Sequence, residues 1–291
     1  MARRAVVTVC IALLGGFSGS VAHAEKTKAA PTANKAEIDR LKQLLETGAE
    51  PEKLAALDEL GNQKSGSVPL AAATVNDLLV RGASVAVLTR ALGVTGKLAQ
   101  PSSTAAVAPY ARHRNEDVRL AATRALATTG GPDAVGALRA ILHGGDRASR
   151  GFAASGLASL KAKEAVPDLF AVLAKDVPEA AGAIGELCVP PDCGKFVAEL
   201  GRLPFDLMQS GLAPLLLRPE TEVPAEFKLD LLERLRKLQT DEAHKFLETL
   251  KDSYPEKGNA WVKYGLEQAV GNKPVVPPPA AKTPAAKGKA K

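Results

Sequence analysis

The 291-residue sequence predicts an all-α fold, a right-handed α–α superhelix made by stacking helical hairpins, and three observations predict it. The first is a spacing written twice in succession. Eight residues after Leu126 stands Ala134, followed by Leu138 and Ile141; eight after Leu157 stands Ala165, followed by Leu169 and Val172. The second is the return of this pattern near the C-terminus, where Leu235 leads to Ala243, Leu247 and Leu250. The third is a polar frame that travels with the apolar one. A cation (Arg119, Arg150 or Lys228) stands seven residues before each leucine, and an acid (Asp133, Glu164 or Glu242) one residue before each alanine.

Each unit therefore reads as helix, tight turn, helix, with apolar residues at i, i+4 and i+7 of the second helix. Gly130, Gly131, Pro132 and Asp133 spell the turn: glycines tolerant of positive φ, then proline in the first helical turn. A hairpin that buries one face needs neighbours on the other, and a fixed period of about 31 residues is the mark of a solenoid. The run Asp117-Val118-Arg119, Ala121-Ala122, Ala125-Leu126, Pro132-Asp133-Ala134-Val135 and Ala137-Leu138 resembles a HEAT repeat, more narrowly the short bacterial variety of phycobilisome lyases. The likeness is good over 115–175 and recognisable over 223–250. It implies a fold and transfers no catalytic residue, because function does not follow fold.

In chain order, residues 1–24 read as a secretion signal: Arg3 and Arg4, an apolar run from Ala5 to Phe17, and an Ala22-His23-Ala24 cleavage site. That run is too short for the roughly 20 residues a spanning helix needs, so the expectation is cleavage near Ala24 and a periplasmic or secreted product. Residues 25–34 are expected to be a disordered linker, 35–272 the solenoid, and 273–291 a disordered Pro/Ala/Lys tail. The net charge of +6 sits in the ends: residues 37–272 carry 28 basic and 31 acidic residues, whereas the tail carries five lysines and no acid. The basic balance thus points to no nucleic-acid groove in the body. It leaves the tail a weak contact with anionic envelope components.

Helices are expected from Asn34 to Gly48 and from Pro51 to Gly61. Looser segments follow near Pro69–Val80, Ser84–Leu92 and Thr104–Arg112, read as divergent hairpins because Leu60, Leu92 and Leu126 keep the period. Pro178–Leu187 and Gly194–Leu200 form a shortened unit, and Leu203–Pro219 reads as irregular or a short helix. Cys188 and Cys193 flank a Val-Pro-Pro-Asp turn, and two cysteines five apart in an exported chain invite a disulfide. Helical pairs over Pro224–Leu238 and Asp241–Ser253 come next. A last helix, Asn259–Val270, carries the only tryptophan, Trp261, expected as a cover for the open end of the stack.

Few catalytic signatures are present. His113, His143 and His244 show no H-x-x-x-H or H-E-x-x-H spacing, no His-Glu dipeptide of the HEAT-built hydroxylases appears, and no P-loop, dinucleotide fingerprint or nucleophile elbow lies in the body. No cofactor or metal is expected. The leading expectation is a non-catalytic scaffold holding a protein or peptide partner; the alternative is an enzyme or enzyme subunit, lyase-like or acting on an envelope polymer. In a HEAT-like stack the second helices usually line the concave side, so residues off their apolar stripe are the candidate binding ladder: Arg139, His143, Phe170, Lys245 and Glu248. Phe170 takes a rung held elsewhere by Arg139 and Glu248, so it is either an exposed aromatic or a sign of a repeat rotated inward. The cations Arg119, Arg150 and Lys228 are read as partners of acids in adjacent repeats.

Overall fold

The computed structural model describes residues 31–175 and 177–276. The expected secretion signal, most of the linker and residues 277–291 lie outside the described residues. Fifteen α-helices follow one another in the described part: α1 (Pro31–Thr47), α2 (Glu50–Gly61), α3 (Val68–Arg81), α4 (Val85–Leu98), α5 (Thr104–Val107), α6 (Glu116–Thr129), α7 (Gly131–Gly144), α8 (Arg147–Ser159), α9 (Val166–Leu173), α10 (Pro178–Leu187), α11 (Pro190–Ala198), α12 (Phe205–Leu217), α13 (Ala225–Leu238), α14 (Asp241–Ser253) and α15 (Ala260–Val270). Helices α2, α4, α6, α8, α10 and α12 pack in succession as one layer. Helices α1, α3, α5, α7 and α9 succeed one another in the other, and α14 joins α12, α13 and α15 at the C-terminal end. The result is an α-helical repeat solenoid.

The leucine period is the reason the layers stack. Leu60, Leu92, Leu126 and Leu157 are all fully buried, in α2, α4, α6 and α8, and each such side chain contributes roughly 2 to 3 kcal/mol relative to exposure. Local chemistry sets the ends. Gly130 and Gly131 hold φ of 74° and 80° between α6 and α7, a conformation L side chains resist. Asn115 caps α6 by accepting from Val118 N at 3.1 Å, and Asp146 caps α8 by accepting from Ser149 N at 2.8 Å. Small residues then let the first-helix layer close to backbone contact: a Cβ on Gly185 of α10 would lie 2.1 Å from Gly211 O of α12.

Several boundaries depart from expectation. Helix α1 begins at Pro31 rather than Asn34, so residues 31–34 belong to the helix and not the linker; proline is well suited to a first turn. Leu203–Pro219 is mostly α12, thirteen residues long with Pro214 inside. Helix α11 starts at Pro190, so Cys193 sits within a helix rather than a turn. The disulfide itself forms, with Cα atoms 5.2 Å apart and both cysteines buried.

Two expectations about the C-terminal end are overturned. Trp261 does not cover the stack: it and Tyr264 are exposed, in edge-to-face contact with ring centroids 6.4 Å apart. The stripe that turns inward is Val262, Leu266 and Ala269, at i, i+4 and i+7, and Trp261 lies one residue off it. The tail, moreover, does not stop packing at Asn272. Val275 is buried against this end, with Val275 N donating to Glu233 Oε2 at 3.0 Å. Arg236 hydrogen-bonds the same carboxylate at 2.7 Å, and chiefly through that contact holds the Glu233 carboxyl down to about 2.

Candidate functional site

The second helices α7 and α9 carry three of the five ladder residues, and the structure divides them. The apolar stripe of α7, Ala134, Leu138, Ile141 and Leu142, is buried. Beside it Arg139 and His143, one turn apart, both reach Asp168 of α9: Arg139 Nε at 2.5 Å and His143 Nε2 at 2.9 Å. Asp168 is the most sheltered of the three. Burial alone would raise its carboxyl, but the hydrogen bonds from Arg139 and His143 outweigh that and leave it below the usual range. Spacing from Ala165 puts Asp168 at +3, off the sampled rungs, so sequence reasoning missed the acid that ties two of its candidates together.

Phe170 turns inward. It is half-buried and packs against the hydrophobic core, so it leaves the exposed ladder and its aromatic rung is a packing residue. Lys245 and Glu248, on α14, are exposed but belong to another place. Lys245 lines a depression of about 300 Å³ with Phe205, Gln209 and Phe246, whereas Glu248 lies 3.5 Å from His244 on the same helix. The five candidates therefore do not form one continuous row.

The three cations of the repeat frame share a role that differs from the one expected. Arg119 does pair with Asp146 of the next repeat, at 2.8 Å, but it also donates to the His113 and Arg114 carbonyls at 3.0 and 3.1 Å. Arg150 donates to Leu142 O near the C-terminal end of α7 at 3.1 Å. Lys228, almost fully buried, donates to Arg218 O just beyond α12, and desolvation pushes its ammonium down. All three satisfy carbonyls that end a preceding element, where cations are favoured.

On the other flank of α7 an open groove of about 690 Å³ separates it from residues 105–114. Proline explains the gap. Between Pro101 and Arg112 the second-layer helix is broken into a 3-10 turn, the four-residue α5 and a second 3-10 turn, with Pro109 unable to donate a backbone bond. The floor is small and apolar (Ala105, Ala108, Ala140, Gly144), and the rim carries Arg112, His113 and Arg114. Among the described residues no group of three or more His, Cys, Asp or Glu is placed to hold a metal ion, and no helix is long and apolar enough to cross a membrane.

Two layers of short helices stacked in fixed repeat place the protein in the helical-repeat class. The family model described as HEAT repeats matches residues 73–148, from within α3 to the start of α8, so that stretch of the solenoid carries HEAT repeats. That match takes in the groove and the stretch before residue 115, which by sequence looked divergent. Among solved structures the chain is similar to the crystal structure of an engineered protein at 15% identity, covering 81% of this chain and 96% of that one, with a TM-score of 0.40. No curated protein matches the chain.

Proposed function

We propose that the protein is an exported, non-catalytic scaffold that holds a protein or peptide partner in the cell envelope against its second-helix face. Export is supported by the charged, apolar and A-x-A segments of residues 1–24. Binding is supported first by the HEAT repeats, a class commonly used for protein interaction. The observation that carries the choice of face is on α7: one flank ends in the Arg139–His143–Asp168 cluster, the other opens onto the groove, and Gly136 between them would meet nothing within 4 Å if given a Cβ. An exposed helix bordered by fixed polar groups and an open cleft has the form of an interface, with polar rim and small-residue floor. The basic tail adds a weak, salt-sensitive attraction to anionic envelope components.

Site-specific photo-crosslinking in cells tests this reading. A photoreactive residue at Gly136 should yield a discrete adduct with a partner, and one at Ser155, exposed on α8 of the opposite layer, should not. Equal adducts from both positions, or adducts from Ser155 only, would remove the second-helix face from consideration.

A further inference from the structure

We infer that the groove between α7 and residues 105–114 binds an acidic peptide segment in extended form; this rests on the scaffold reading above and names its partner chemistry. Three donors are held ready on one rim. The guanidinium groups of Arg112 and Arg114 have no ion-pair or hydrogen-bond partner among the described residues. His113 is oriented by its neighbour: Asn115 N donates to His113 Nδ1 at 3.1 Å, so in the neutral imidazole the proton is on Nε2, left as a donor. Arg119 holds the backbone of this segment through the His113 and Arg114 carbonyls, and Asp146, the acid lining the groove, is matched by that same Arg119. The groove therefore presents two unmatched positive charges on a fixed stretch of chain, which lowers the ordering cost of binding.

The floor selects what kind of anion fits. Ala105, Ala140 and Gly144 leave room for a backbone to lie close, and arginines two residues apart match carboxylates on alternate residues of an extended strand. A nucleic acid is disfavoured on two counts: among the described residues no phenylalanine, tyrosine or tryptophan lines the groove for base stacking, and residues 37–272 carry net negative charge that repels a long polyanion.

The test uses the purified full chain and a fluorescent, end-blocked decapeptide of alternating aspartate and alanine, followed by anisotropy. The acidic peptide should bind, and its lysine–alanine counterpart should not. Arg112→Ala with Arg114→Ala should weaken binding at least tenfold, and Ala140→Trp, which fills the floor, at least fivefold. Both changes lie at exposed positions, so the melting curve should not move. Absence of acidic-peptide binding, equal binding of the lysine peptide, or full affinity in the double arginine variant would each overturn the inference. So would displacement of the peptide by micromolar inorganic tripolyphosphate, which would mark a phosphate site. A Gly136 crosslink in cells without the expected peptide binding would leave the scaffold reading standing while the groove assignment fell; peptide binding that responds to the arginine changes as expected, with no Gly136 crosslink from the otherwise unsubstituted chain, would do the reverse.

Discussion

The two layers of the solenoid are made of similar residues and tolerate opposite things. In the first-helix layer, glycine and alanine bring backbones together: Gly211 of α12 given a Cβ would place it 2.2 Å from Ala181 O of α10, and Gly156 of α8 would meet Ala127 Cβ of α6 at 2.7 Å. In the second-helix layer, Gly136 of α7 faces open space, and proline has broken the element beside it. Close packing between α6 and α8 and between α10 and α12 fixes the repeat geometry, although the outer surface of α4 and α6 still carries an open depression of about 850 Å³. The looser layer inherits that geometry and leaves Gly136 and the groove beside α7 open, which is the packing reason for proposing the binding face there.

The sharpest way to break this comparison is Gly185→Ala. A methyl group 2.1 Å from a backbone carbonyl forces α10 and α12 apart, and overpacking of that kind costs about 3 kcal/mol. Chemical denaturation should show a large drop in midpoint; a loss under 1 kcal/mol would mean the layer is not held by close approach.

Phe170→Ala comes next, and it sharpens the boundary inside the second layer. The ring is half-buried against the core, so truncation should cost about 2 kcal/mol, less than the 3 to 5 of a fully buried phenylalanine. Thermal melting checks it. Unchanged stability with weaker partner capture would return Phe170 to the exposed face.

Truncation after Asn272 should cost about 1.5 kcal/mol, the burial of one valine, because it removes Val275 and the bond from Val275 N to Glu233. With its carboxyl held to about 2, Glu233 contributes stability that is present above its unfolded value and is lost only as pH falls through the folded one. Melting at pH 7 should therefore reveal the full truncation effect. An unchanged midpoint would show that the segment rests on the stack without stabilising it.

How much of this was legible follows from what periodicity can encode. Leu126, Leu157 and Leu235 announce the repeat because burial imposes the helical period on apolar residues, and all three are fully buried. Cations at a fixed offset were visible too, but their carbonyl partners were not, since backbone groups carry no sequence signature. Asp168 was missed because an ion pair between α7 and α9 depends on how adjacent hairpins rotate. The groove was hidden for a related reason: Pro109 signals a broken helix, but only the missing neighbour turns a break into a cleft. Trp261 was misread although its helix held the answer, Val262, Leu266 and Ala269 forming the inward stripe.

The smallest effect has the opposite sign and bears most directly on the comparison. Gly136 is a glycine in the interior of α7, and helical glycine costs up to about 1 kcal/mol relative to alanine. A Cβ there would touch nothing, so Gly136→Ala should gain most of that difference and raise Tm by about 2 °C. A fall in Tm would mean that α7 is as tightly packed as α8 and that the layers do not differ. The same variant informs the binding face, because a methyl at this point stands between the Asp168 cluster and the groove. If a partner chain crosses α7 from one to the other, the more stable variant should hold it less well, and the anisotropy of a groove-bound peptide long enough to reach Arg139 should fall, while that of one confined to Arg112 and Arg114 should not.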